Sequence, residues 1–200
     1  MRSHPSEFSL RRKRRFLPFF VTQSLGALND NLFKQSVILA ILYQLAIEGD
    51  RGIWVNLCAL LFIGPFLRFS ALAGQFGEKY DKDRLIRLIK LGEIAIMLVG
   101  AAGFAFDHLA LMLDALFAMG THSALFGPVK YSILPQTLHE DELVGGNGLV
   151  EMGTFLSILA GTIGAGIMLS SSNYAGVVSV VIVSVAALGY LARIDRKSVV

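Results

Sequence analysis

Six long apolar blocks alternate with short polar stretches along the chain. The blocks cover approximately residues 16–46, 53–73, 85–106, 109–130, 146–170 and 174–192. Each block is long enough to cross a hydrocarbon core of ~30 Å as a helix. None alternates with the period of two that barrel strands require. Because only helices and closed barrels satisfy their own backbone groups in hydrocarbon, the pattern predicts an all-α membrane protein with six transmembrane helices within residues 16–192.

The composition agrees with this pattern. Of the 200 residues, 54% are hydrophobic and 16% are charged, whereas a soluble domain has about 25% charged residues. The basic segment 1–15 is not followed by a small-residue cleavage site, so we interpret it as a tail that sets orientation. The single cysteine, Cys58, lies inside the second block and is interpreted as a small packing residue.

The basic residues are distributed very unevenly between the two ends of the predicted bundle. Of the 18 Lys and Arg residues, six lie in 1–15, five in 79–90, three in 193–197, and one is Lys130, all at one end. The connections at the other end hold Arg51 alone. Basic loops stay in the cytoplasm, so the tails 1–15 and 193–200 are both predicted to be cytoplasmic.

The distribution of Lys and Arg also indicates which partners the protein binds. The basic clusters lie where orientation requires them, and no basic stripe is interleaved with exposed aromatic residues, so no nucleic-acid partner is predicted. Membrane lipids are expected partners, because the basic run 11–15 would attract anionic head groups.

The first apolar block carries a polar face near its middle. At 100° per residue, Gln23, Asp30 and Lys34 project within about 40° of one another, with Asn29 on one side and Asn31 on the other. The spacing of Asp30 and Lys34 favours an intrahelical ion pair. Charged groups inside a membrane usually line a pathway or relay, so these residues are predicted to bind a substrate or a coupling ion. The alternative is a polar seam that joins helices.

Other polar residues within the blocks admit two interpretations each. Arg68 and Glu93 lie near the same end of adjacent helices and could form a pair, either structural or functional. Asp114 either reaches the interface or belongs to the pathway. His122 is either a packing residue or a proton carrier.

The fifth block has small residues at every fourth position, namely Gly153, Ser157, Gly161 and Ala165. This spacing lets two helix backbones approach closely. We predict a tight helix–helix contact along this stripe.

The stretch "GQFGEKYDKDR" resembles the signature loop between the second and third helices of the major facilitator superfamily. Gly74, Glu78, Lys79 and Lys82 match the loop's glycine, acid and bases, whereas Asp81 stands where the family usually has glycine. Such a charged cluster can latch helix ends in one conformational state and release them in another. The resemblance thus implies a conformational latch made of Gly74, Glu78, Lys79, Asp81, Lys82, Arg68 and Glu93.

Two longer stretches, "FLPFFVTQSLGALNDNLFKQ" and "ALFGPVKYSILPQTLHEDELVGGNGLVEMGTFL", resemble the lysophospholipid transporter family of that superfamily. The resemblance implies a flippase that moves lysophosphatidylethanolamine across the bacterial inner membrane for re-acylation. It implies that Asp30 meets the amine or a coupling proton or sodium ion, and that Lys34 and Lys130 meet the phosphate. Gln23, Asn29 and Asn31 would surround the glycerol, and His122 joins this binding set.

Transporters of the superfamily usually have twelve helices in two halves. The six blocks are therefore expected to form an N-terminal half, with 193–200 as a truncated inter-half linker and a C-terminal half as the missing partner. No cofactor and no metal are predicted.

The sequence motifs do not support an enzymatic function. Some relatives in the family are fused to an acyltransferase, whose signature needs an Asp five residues after a His. The chain has four histidines, and the residues five positions after them are Ser9, Leu113, Gly127 and Val144, none of which is acidic. No nucleophile elbow, phosphate loop or zinc helix is present either. The chain is predicted not to be an enzyme, with acyltransferase activity confined to a fused or partner domain. The alternatives are a transporter for another amphiphile or drug, the membrane part of an acyltransferase fusion, or a structural membrane protein.

Overall fold

The computed structural model describes residues 16–47, 49–79 and 82–194. Six α-helices make up nearly all of this part of the chain: α1 Leu17–Tyr43, α2 Arg51–Lys79, α3 Lys82–Ala105, α4 Leu109–Thr137, α5 Leu143–Leu169 and α6 Tyr174–Ile194. A short 3-10 helix, Glu140–Glu142, precedes α5. The described residues contain no strand, so the predicted all-α fold is confirmed.

Five of these helices are long and apolar enough to cross a membrane. Their apolar spans are Arg51–Phe69, Ile86–Ala105, Leu109–Gly127, Glu140–Leu169 and Tyr174–Ala192. Helix α1 has the length, about 40 Å for its 27 residues, but its polar residues from Gln23 to Gln35 lower its hydropathy. A helix with this many polar residues needs neighbouring helices that form hydrogen bonds with its side chains.

The connection between α2 and α3 is much shorter than predicted. The stretch 74–84 was expected to form a loop, but α2 continues to Lys79 and α3 begins at Lys82. Asp81 lies outside the described residues. The expectation was wrong because it took polarity as the helix boundary, whereas a helix can continue beyond its apolar span into the interfacial region.

The helix contacts show an internal symmetry. Helix α1 packs against α5 and α6, α4 packs against α2 and α3, and α3 packs against α6. Exchanging α1 with α4, α2 with α5 and α3 with α6 reproduces the same set of contacts. Two three-helix repeats related in this way are the arrangement found within each half of a major facilitator transporter.

The small-residue stripe of α5 lies against α1. Gly153, Ser157, Gly161 and Ala165 are all buried. A Cβ atom at Gly153 would lie 2.8 Å from Ser24 Oγ, and one at Gly161 would lie 3.0 Å from the backbone oxygen of Leu28. The absence of larger side chains thus allows α1 and α5 to pack backbone to backbone.

Two apolar clusters divide the bundle along its length. The first contains Phe33, Val37, Ile41, Met97, Phe104, Met112, Leu116, Met119, Ala165 and Met168. The second contains Phe16, Phe19, Ile86, Ile133, Leu134, Leu138, Leu149 and Val150. Between the two clusters, α1, α3, α4 and α5 carry polar residues that are buried or half-buried. We call this zone the polar layer; it comprises residues 23–31, 90–93, 122–130 and 151–157.

Candidate functional site

A cavity of about 350 Å³ opens within the polar layer. Helices α1, α3, α4 and α5 supply its polar wall, and Phe66 of α2 adds an apolar side chain. Its lining residues are Gln23, Gly26, Ala27, Asp30, Phe66, Lys90, Glu93, His122, Ser123, Phe126, Gly127, Lys130, Tyr131, Glu151 and Thr154. Three carboxyl groups and two lysines therefore face one space inside an apolar bundle.

Asp30 contributes the carboxylate of α1 to this cavity. It accepts a hydrogen bond of 2.5 Å from the hydroxyl of Ser123 on α4. The predicted ion pair with Lys34 does not form, because the Lys34 ammonium instead lies 4.9 Å from the centre of the Phe62 ring on α2. Within the described part of the chain, Asp30 thus has a hydroxyl partner and no direct cation partner.

The two asparagines beside Asp30 point in other directions. Asn29 is fully buried and donates from Nδ2 to Glu93 Oε1 of α3 at 3.2 Å. Asn31 donates to the backbone oxygen of Ala27 at 2.9 Å and packs against Gly161 of α5. Because neighbouring residues on a helix are rotated by about 100°, these consecutive polar residues serve three different helix contacts. The predicted common polar face is therefore divided.

Lys90 and Glu93 form an ion pair on α3, with Nζ 2.7 Å from Oε2. Both side chains are only 1% exposed. The prediction that Lys90 belongs to the basic connection after α2 is wrong, because Lys90 lies inside the bundle two turns after α3 begins. The interpretation of Arg68 and Glu93 as a pair was also wrong, since Glu93 contacts Lys90 and Asn29 while Arg68 is exposed.

His122 links α4 to α3. Its Nε2 lies 2.7 Å from the backbone oxygen of Ile89. A carbonyl oxygen can only accept, so Nε2 carries the proton in this contact. Its other ring nitrogen, Nδ1, is buried and has no hydrogen-bond partner among the residues that the structure describes.

These contacts close a ring of three helices. Asn29 joins α1 to Glu93 of α3, the adjacent Asp30 joins α1 to Ser123 of α4, and the adjacent His122 joins α4 back to α3. Side chains at neighbouring positions thus fix the rotation of α1, α3 and α4 about their axes. The ring holds the Asp30 carboxylate at the cavity wall.

A second cluster of polar residues lines the cavity between α4 and α5. Lys130 Nζ is 3.6 Å from Glu151 Oε1, and the Tyr131 hydroxyl donates to the same carboxylate. On α1, Gln23 donates to the backbone oxygen of Val150 at 3.1 Å, and Thr154 lies 3.4 Å from Gln23 Oε1. Of the predicted binding residues, Gln23, Asp30, His122 and Lys130 are thus brought to one cavity.

The predicted latch residues are less well defined. Gly74, Glu78 and Lys79 lie in the last turns of α2, Lys82 is the first residue of α3, and nothing is described of their side chains. The latch therefore stays a prediction.

Several cavity residues were not assigned to the site from the sequence. Lys90, Glu151, Tyr131 and Thr154 all line it. One available signal was the spacing of Lys90 and Glu93, which puts a base and an acid on one face of a predicted membrane helix. Among the described residues, no cluster of His, Cys, Asp and Glu could hold a metal ion.

The fold and the cavity together define a polytopic helical membrane protein with a charged chamber inside its bundle. The chain is 27% identical over 148 residues to the lysophospholipid transporter LplT of Escherichia fergusonii, a match that covers 74% of this chain and 35% of that protein. It is 26% identical over 152 residues to the transporters of the same name from Salmonella newport and Salmonella heidelberg, covering 76% of this chain and 36% of each relative.

These relatives confirm the resemblance to the lysophospholipid transporter family. The matched part spans about a third of the length of the curated relatives. No family model and no solved structure matches the chain.

Proposed function

We propose that this chain supplies the N-terminal six-helix bundle of a transporter that moves lysophosphatidylethanolamine from the outer to the inner leaflet of the bacterial inner membrane, where the lipid is re-acylated. The observation that carries the proposal is the similarity to transporters named for lysophospholipids over about three quarters of the chain. A C-terminal six-helix half is the proposed partner, and a proton or sodium ion is the proposed coupling cation. Both tails are proposed to be cytoplasmic, as the basic residues indicate.

The charges in the cavity support a zwitterionic substrate. Lysophosphatidylethanolamine has a phosphate, an amine and one acyl chain. Lys130 can attract the phosphate as a point charge, and Asp30 can accept hydrogen bonds from the amine because its present partner, Ser123, is uncharged. Gln23 and the unpartnered Nδ1 of His122 offer further polar contacts to the glycerol.

The remaining members of the predicted binding set support the site from outside the cavity lining. Asn29 and Asn31 orient α1 through Glu93 and through the backbone of Ala27. Lys34 lies over Phe62, between α1 and α2. We propose that these three residues position the wall of the cavity, and that apolar side chains such as Phe66 and Phe126 contact the acyl chain.

The proposal is tested by transport of labelled lysophosphatidylethanolamine into membrane vesicles, compared with a panel of cationic drugs. We expect uptake of the lysolipid and not of the drugs. Uptake of drugs alone would favour the alternative of a transporter for another amphiphile. Inactivity with both, for the complete protein in intact vesicles, would contradict a transport function.

Replacing the Asp30 carboxylate should impair this transport strongly. We expect Asp30→Asn to lower the initial rate about tenfold or more, because a hydrogen bond to a charged group contributes about 1.5–3 kcal/mol. The matched control is Asp114→Asn, which changes an exposed acid on α4 away from the cavity and should leave the rate unchanged. Equal rates for Asp30→Asn and the unmodified protein, at equal expression, would rule out a central role for Asp30.

A further inference from the structure

Lys90 is a buried cation at the cavity wall to which neither the sequence motifs nor the proposed binding set gives a role. We infer that Lys90 binds the phosphate of the lipid head group, as a second cation beside Lys130. This inference rests on the proposed function and deepens it, since it assigns phosphate recognition to α3 as well as α4. Three observations carry it.

The first observation is that the buried ion pair between Lys90 and Glu93 is not explained by its contribution to the stability of the fold. Lys90 and Glu93 are each 1% exposed, within a bundle of mostly apolar helices. A buried ion pair is often no more stabilising than well-packed apolar side chains of similar volume, because both charges lose their hydration. Ionisable groups inside membrane proteins are usually found along substrate or ion paths. Lys90 lines the cavity that is proposed above to bind the substrate.

The second observation is the space around the ammonium group. A Cβ atom at Gly26 of α1 would lie 3.0 Å from Lys90 Nζ, and one at Gly189 of α6 would lie 3.4 Å from it. Two glycines thus form a notch that admits the ammonium. The ammonium has three N–H donors, and among the described residues Glu93 is the one hydrogen-bond acceptor that it contacts. Donors therefore remain for an anionic oxygen that enters the cavity.

The third observation is the position of the two lysines relative to α4. Lys90 Nζ lies 5.9 Å from the centre of the Phe126 ring, and Lys130 follows Phe126 by four residues on the same helix. Four residues rise about 6 Å along a helix. Both lysines line the same cavity, so separate oxygens of one phosphate inside it can each contact one lysine.

The experiment compares the binding of two lipids to the purified full-length protein in detergent. The first is labelled lysophosphatidylethanolamine, and the second is a monoacylglycerol with the same acyl chain, which has no phosphate. The variant is Lys90→Met combined with Glu93→Gln, because removing both charges leaves neither partner buried alone. The matched control is Arg87→Met, which removes an exposed cation from the same helix three residues earlier.

We expect the double variant to bind lysophosphatidylethanolamine about tenfold more weakly or worse, as the loss of one charge-assisted hydrogen bond implies. Binding of the monoacylglycerol should be unchanged, and Arg87→Met should bind both lipids normally. Unchanged lysolipid affinity in the double variant, or an equal loss for both lipids, would overturn the role of Lys90. If the unmodified protein binds no lysophosphatidylethanolamine, the proposed function itself fails, and that outcome differs from a failure confined to the variant.

Discussion

Replacing Glu93 with glutamine is expected to destabilise the folded protein by about 3–5 kcal/mol, since it leaves the Lys90 ammonium buried without a carboxylate partner. The two charged groups are 2.7 Å apart and 1% exposed, so the lost carboxylate is the main partner of the ammonium in the folded protein. If the glutamine oxygen accepts the hydrogen bond from Asn29, its amide nitrogen faces the Lys90 ammonium, so Lys90 loses a hydrogen-bond acceptor as well as the opposite charge. The free energy of unfolding is measured by titration with SDS in mixed micelles.

Two comparisons test whether burial of an unpaired charge is the cause. The double variant Lys90→Met with Glu93→Gln should recover most of the lost stability, because it carries no unpaired charge. Glu151→Gln should change stability by less than about 1 kcal/mol, since its ion pair with Lys130 is 44% exposed on the Glu151 side and exposed pairs contribute little. Additive losses in the double variant would contradict the pairing of Lys90 with Glu93.

Adding a single methyl group at Gly120 is expected to separate α2 from α4. A Cβ atom at this position would overlap the backbone oxygen of Phe62 and lie 2.9 Å from the Phe62 Cα. Backbone atoms cannot rotate away as side chains do, so one helix must shift. Overpacking of this kind typically destabilises by about 1–3 kcal/mol, and we expect Gly120→Ala to lie at the upper end of that range.

Cys58 provides a direct measurement of this separation. It is the single cysteine of the chain, it is fully buried, and it lies one turn before Phe62 on α2. Labelling with a maleimide should therefore be slow in the unmodified protein and faster in Gly120→Ala. The control is Gly127→Ala on the same helix, where a Cβ atom would meet no atom of the described residues within 4 Å. Equal labelling rates in the two variants would show that the crossing at Gly120 is not tight.

The helices were predictable from the sequence because the bilayer imposes a minimum apolar length. The apolar block 174–192 corresponds to α6, Tyr174–Ile194, and the block 85–106 corresponds to α3, Lys82–Ala105. The ends of α2 and α4 were predicted too early, since Lys79 and Thr137 are polar residues of helices that extend beyond their apolar spans. Hydropathy reports where lipid contacts a helix and is a poorer guide to where hydrogen bonding along its backbone stops.

The site was predictable in part. The polarity of the first block pointed to Gln23 and Asp30, and both line the cavity. Helical spacing alone also grouped Lys34 and the neighbouring asparagines with them, although these side chains contact other helices. A single helix shows which residues share a face, but its neighbours decide whether that face borders a cavity or a packed helix.

The sequence by itself determined the membrane class, the approximate helix spans and the small-residue contact of α5, because these depend on local apolar length and on residue spacing. Only the tertiary structure decided the partners of the charged residues. It separated Asp30 from Lys34, moved Lys90 from a presumed loop to the interior, and joined Asn29, Asp30 and His122 into one ring across three helices. The partners of Asn29, Asp30 and His122 are 64, 93 and 33 residues away along the chain, so these contacts follow from helix packing and cannot be inferred from local sequence.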